Sequence, residues 1–166
     1  MKSALFVYFD NVYSGLRKLD QAIADRFARQ PLEWVNWVVR SLELPDHAPA
    51  GARRRLLVRR CYLNPQAYQR FRPSFNLAGF EIIDCPALTS EGKTSTDIHM
   101  VLDMVDVLQS PTHYDEFIVF SADADFTPLL RKLRRDDRST TIFAAGATSA
   151  SYDASSDLII DPDAFV

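Results

Sequence analysis

Hydrophobic and polar positions alternate between two periods along the chain, and the switches between them predict its elements. Ala4 to Phe9 is a short apolar run read as a strand, ending at Asp10-Asn11. Leu16, Leu19, Ile23 and Phe27 recur at helical spacing, so a helix is expected after Ser14. Pro31 suits the first turn of a second helix, whose stripe is Leu32, Val35, Val38, Val39 and Leu42 with Trp34 and Trp37 beside it. Pro45 to Gly51 reads as a loop and Leu56 to Leu63 as a strand. Pro65 to Ala78 reads as helix, broken near Pro73 and stopped by Gly79. Phe80 to Cys85 is the next strand, and Pro86 to Lys93 a linker. The helix containing Asp97 is expected to bury Ile98, Val101, Leu102, Val105 and Leu108. Glu116 to Phe120 is almost continuously apolar, as in a parallel strand covered on both faces. A helix from Pro128 to Arg135, a strand at 140–144, a short helix at 149–156 and a strand at 158–160 complete the chain.

Strands separated by helical segments imply βαβ units. The fold class expected is therefore α/β, with a mainly parallel central sheet between helical layers. A length of 166 residues fits one domain, residues 1–166. Its 47% hydrophobic and 25% charged composition excludes a disordered chain. No apolar run reaches the roughly 18 to 20 residues of a membrane span. The N-terminus enters a strand directly and lacks a signal-peptide layout, so a cytoplasmic location is expected. Cys61 and Cys85 lack zinc-site spacing and read as buried free thiols in a reducing compartment.

Charge changes the picture through its distribution. The net charge is −3, yet Arg53-Arg54-Arg55, Arg59-Arg60, Arg70 with Arg72, and the run 131–138 are basic clusters. They read either as phosphate-gripping patches or as solvated faces. The acids fall at strand ends and helix starts: Asp10 after the first strand, Asp123 and Asp125 after the strand at 116–120, and Asp97 at a helix start. Parallel sheets place ligands outside the carboxyl ends of their strands. Carboxylates gathered there repel unless a proton or cation lies between them, and an oxygen-rich site suits magnesium or manganese. Each acid also has a local reading. Asp10-Asn11 fits a turn. Thr94, Ser95 or Thr96 would cap a helix with Asp97 in its first turn, and Asp125 or Thr127 would cap the helix at Pro128. Asp103, six residues beyond Asp97, is rotated by about 240° and reads as supporting. His47, His99 and His113 show no metal-ligand spacing.

Three segments together resemble the NYN domain family, PIN-like metal-dependent ribonucleases that include LabA-like bacterial proteins. They are Phe9-Asp10-Asn11-Val12-Tyr13, Lys93 to Asp97 before a Val/Leu/Met-rich helix with Asp103, and Ser121-Ala122-Asp123-Ala124-Asp125-Phe126-Thr127-Pro128-Leu129. The last is similar to the family's Ser-Gly-Asp-x-Asp-Phe-x-Pro-Leu signature, and Ser155 to Ile159 is similar to its closing motif. The resemblance implies a three-layer α/β/α sandwich that cleaves RNA, single-stranded by preference, with Mg2+ or Mn2+. On it, Asp10, Asp97, Asp123 and Asp125 would be the catalytic metal ligands, and Asn11, Lys93, Ser121 and Thr127 would face the substrate. PIN-like domains often pair, so a homodimer is compatible, although no segment marks an interface. Many relatives carry an aspartate where Tyr8 stands; on strand alternation Asp10 would share that side and substitute for it. The alternative is a degenerate domain that binds RNA or protein. A haloacid-dehalogenase-type phosphatase also matches Asp-x-Asp-x-Thr at 123–127, but no lysine follows Lys132.

Overall fold

The computed structural model describes residues 1–89 and 94–165. Six strands form one parallel sheet: β1 (Lys2–Tyr8), β2 (Arg55–Leu63), β3 (Glu81–Asp84), β4 (Glu116–Phe120), β5 (Ser139–Phe143) and β6 (Leu158–Ile160). Their order is β3-β2-β1-β4-β5-β6. The connections reverse direction between β1 and β4, which in such sheets opens a crevice at the strands' carboxyl ends. Val7 pairs with Phe120, so the two strands end level with each other.

Alternation along β1 builds a core on each face of the sheet. Leu5 and Val7 point into one, with α1 (Phe9–Leu19), α2 (Gln21–Arg29), α3 (Pro31–Arg40) and α5 (Arg72–Leu77). Ala4 and Phe6 point into the other, with α6 (Thr96–Leu108), α7 (Thr127–Arg135) and α8 (Ala150–Ala154). The result is the three-layer sandwich expected. Trp34 joins the layers of the first core: its ring stacks 4.9 Å from Phe120, and its Nε1 donates to the Phe27 carbonyl at 3.0 Å.

Three sequence expectations are corrected. First, β1 ends at Tyr8, and Phe9 opens α1. Phe9 is fully buried among Tyr13, Phe27, Tyr68, Phe71 and Phe75, an aromatic cluster that a strand conformation would not reach. Asp10 therefore lies in a helix, and strand alternation does not relate it to Tyr8. Second, the helix expected after Ser14 is two helices. Asp20 is extended between them and its carboxylate accepts from Ala22 N at 2.8 Å, an N-cap that restarts the chain; Leu19 is left exposed. Third, α6 buries Met100, Met104, Val107 and Leu108, while Ile98 and Leu102 are 61% and 60% exposed. Its apolar residues lie nearly all round the helix, so periodicity alone does not select the face.

The segment 65–78 matches its expected interruption: α4 (Pro65–Tyr68), a 3-10 turn at Gln69–Phe71, then α5, with Gly79 at φ +83°. No helix among the described residues is long and apolar enough to cross a membrane.

Gly15 sets how closely α1 approaches the segment after β5. A Cβ there would meet the Ala145 carbonyl oxygen at 2.7 Å and its Cβ at 2.9 Å. Alanine in a helix normally gains about 1 kcal/mol over glycine. Here the overlap is with backbone, and overpacking costs about 1–3 kcal/mol. Gly15→Ala is thus expected to lower the melting temperature, and a rise would show that the 145 segment yields freely.

Candidate metal centre

The site forms where β1 and β4 end side by side. After β4 the chain runs through Ser121 and Ala122 into a 3-10 turn, Ala124–Phe126, and then α7. Asp123 caps that turn, its Oδ1 accepting from Asp125 N at 2.9 Å. The turn is tied down from three sides. Asn11 Oδ1 accepts from Ala122 N at 2.9 Å. Ser121 Oγ accepts from Asp123 N at 3.0 Å. The Tyr152 hydroxyl donates to the Ser121 carbonyl at 2.6 Å. Asn11 therefore links the start of α1 to the loop that carries two of the acids.

Asp97 arrives from the first turn of α6. Its N-cap residue, Ser95, makes no side-chain capping hydrogen bond, and Thr96 donates its hydroxyl to that of Thr94 at 2.9 Å. Asp97, Asp123 and Asp125 each present a carboxylate oxygen within 4.8 Å of the others'. Two are half-buried and Asp125 is exposed. Three carboxylates at that separation repel in the metal-free protein, and their all-oxygen donor set fits a hard divalent cation such as Mg2+ or Mn2+.

Asp10 stands outside that trio, and its Oδ1 accepts from Asn64 N at 3.2 Å. Burial raises its pKa above the ordinary carboxylate value, against the lowering effect of backbone hydrogen bonds. Tyr8 connects the two groups. Burial raises its phenol, a hydrogen bond with Thr94 opposes the rise, and the charges of Asp10, Asp97 and Asp123 reinforce it. The phenol stays protonated at neutral pH amid three carboxylates that are distant in sequence.

The raised pKa of Asp10 has a consequence for stability. Its folded value lies above the unfolded one of about 3.9. The contribution of the protonated form is complete below about pH 4 and lost as pH rises through the folded value. Asp10→Asn is expected to raise the melting temperature of metal-free protein at pH 7, with the gain vanishing below about pH 4. Parallel melts of both proteins in EDTA across that range check the sign.

A polar groove of about 600 Å³ runs from Tyr8, Asp10 and Asn11 past Ser14 and Gly15 to Lys18. Asn11, Ser14 or Gly15, and Lys18 recur at helical spacing on α1. Sequence reasoning missed Ser14 and Lys18 because the strand was extended to Phe9. A second, apolar groove of about 270 Å³ is lined by Ile98, Val101, Leu102 and Phe126 together with Asp97 and Asp125. Thr127 opens α7 and is 9% exposed. Lys93 lies outside the described residues.

Asp103 takes no part in the trio. It accepts from the Tyr62 hydroxyl at 2.6 Å, and His99 Nε2 lies 3.7 Å from it. The His99 Nδ1 is 3.9 Å from Cys85 Sγ. Burial pushes that thiol up, and nearby Asp10, Asp84 and Asp103 oppose its ionisation, which disfavours a nucleophilic thiolate. Cys61 and Cys85 are both buried and free.

The basic clusters divide. Arg54 is buried against Glu116, Arg59 donates to the Ala78 carbonyl, and Arg72 pairs with Asp84. Arg134 donates to the Ala154 carbonyl. These residues serve the fold, so neither a phosphate grip nor a simply solvated face describes them.

The family model for the NYN domain matches residues 2–163. Among solved structures, the chain is similar to the crystal structure of a protein of unknown function from Vibrio parahaemolyticus. The two share 20% identity over 96% of this chain and 91% of that one, with a TM-score of 0.65. At that identity the likeness concerns the fold. The comparison with curated proteins finds no match.

Proposed function

The chain belongs to the NYN domain family, and from that premise we propose that it is a metal-dependent ribonuclease acting on single-stranded RNA. The observation that carries the reading is the convergence of Asp97, Asp123 and Asp125, from two elements, on one point at the carboxyl end of the sheet. In this reading these three would hold Mg2+ or Mn2+ directly, and Asp10, outside the trio, would do so through water. The bound ion would supply Lewis acidity toward the phosphate and lower the pKa of an attacking water. Asn11 and Ser121 hold the turn carrying Asp123 and Asp125, so they act by orienting ligands. Lys18, in the polar groove, draws the charged backbone toward the acids and offsets part of their repulsion. Lys93 and Thr127 are assigned to the substrate side.

The test is incubation of the purified protein with a 5′-labelled single-stranded RNA in Mn2+, beside an EDTA control and p-nitrophenyl phosphate. Cleavage of RNA in Mn2+ alone supports the reading. Turnover of p-nitrophenyl phosphate without RNA cleavage would favour a phosphatase. A specific observation favours a second reading: the phenol of Tyr8, a poor ligand for a hard cation, sits among the acids while Asp10 stands apart from the trio. RNA binding by gel shift, with no cleavage in either condition, would favour a binding module.

A further inference from the structure

We infer that the apolar groove between α6 and the turn after β4 is a nucleobase pocket, seating the base of a nucleotide next to the scissile phosphate. The inference rests on the ribonuclease reading and names a subsite of the same site.

Ile98 and Leu102 stand one helical turn apart and are 61% and 60% exposed, a cost the fold does not require of a helix offering other apolar residues to the core. With Val101 and the buried Phe126 they line the groove. The volume of about 270 Å³ lies just below the range of about 300–1,000 Å³ typical of drug-sized ligands, which matches a single planar ring system.

The surroundings select the occupant. Among the described residues no cationic side chain lines this groove, so a phosphate would enter it against Asp97 and Asp125. The polar groove at Tyr8 and Asp10 contains Lys18, Ser14 and Asn11 and suits the charged backbone. A neutral ring whose edge carries N–H donors matches an apolar lining that includes two carboxylates. A nucleotide whose phosphate lies at the acids has its base within reach of a groove that two of those same acids line. A second copy of the chain is a poor occupant. Stable partners cover about 800 Å² each, and among the described residues the exposed large apolar side chains lining this groove are Ile98 and Leu102.

The test is a fluorescence titration of the protein with 2-aminopurine ribonucleoside 5′-monophosphate in Mg2+, a probe that offers no internucleotide bond to cleave. Wild type is expected to bind saturably, and ribose 5-phosphate to displace the probe only at much higher concentration. The double variant Ile98→Ser/Leu102→Ser is expected to weaken binding by at least about tenfold, the scale on which hydrophobic pockets discriminate. Both residues are exposed, and a melting curve verifies that the variant is folded. Equal affinity in variant and wild type, or no binding by wild type, would overturn the pocket. So would a variant whose change is a shift in oligomeric state by sedimentation. Failure of the ribonuclease reading registers separately, as wild type that leaves RNA intact in Mn2+ whatever the probe does.

Discussion

Asp123→Asn is expected to reduce Mn2+-dependent RNA cleavage by more than about 100-fold while leaving the protein folded. Groups that merely orient metal ligands cost about 10–100-fold when altered, and Asp123 is placed in the trio itself. The substitution separates chemistry from folding. Asparagine caps a turn about as well as aspartate, so the hydrogen bond from Asp125 N persists in kind. Removing one of three clustered like charges also relieves repulsion in the metal-free protein. The melting temperature in EDTA should therefore equal or exceed that of wild type. Saturating Mn2+ should raise the melting temperature of wild type, since a ligand present at 100 times its Kd contributes about 2.7 kcal/mol, and should raise that of the variant much less. Wild-type turnover in the variant would remove Asp123 from the mechanism. Lost turnover with an undiminished Mn2+ shift would move its role from ion binding to the substrate.

The second large effect concerns stability and lies far from the acids. Arg54 and Glu116 form an ion pair at 2.7 Å with both side chains at 0% exposure. Glu116 also accepts from the Ser3 and Thr141 hydroxyls, and Arg54 donates to the carbonyls of Val38, Leu42 and Glu43. The pair thereby ties β1, β4 and β5 to the end of α3 and the loop beyond it. Arg54→Leu leaves a buried carboxylate with only two hydroxyl donors and strips three carbonyls of their partner. Breaking a buried pair on one side costs about 3–5 kcal/mol, which urea denaturation should show as a lower midpoint. Replacing both partners, as in Arg54→Met with Glu116→Leu, should recover much of the loss, because no uncompensated charge remains. A single variant within about 1 kcal/mol of wild type would mean that water reaches the pair.

Arg54 shows why part of the molecule was hidden from sequence reading. In the chain it is the middle of Arg53-Arg54-Arg55 and looks like its neighbours. Its burial depends on a glutamate 62 residues away that no local pattern reveals. The boundary at Tyr8 was hidden for a similar reason. The run Ala4 to Phe9 is uniformly apolar, and only the waiting aromatic cluster makes Phe9 the start of a helix. That one-residue difference moved Asp10 onto α1 and brought Ser14 and Lys18 into the groove with it. The face expected for α6 was the wrong one because Ile98 and Leu102 have the same chemistry as the residues that are buried.

By itself the sequence determined the α/β class, every strand to within two residues, and the segments bearing the acids. Those features depend on local period, turn residues and short-range apolar runs, which the order of residues carries directly. Tertiary structure alone decided that Asp97 joins Asp123 and Asp125 while Asp10 stands outside that trio, and that Tyr8 sits among these acids. It also decided that Arg54 lies inside and Ile98 and Leu102 outside. The reason is physical: carboxylate spacing and burial follow from how strands and helices far apart in the chain pack at a shared sheet end, and packing is settled by the free energy of the whole assembly.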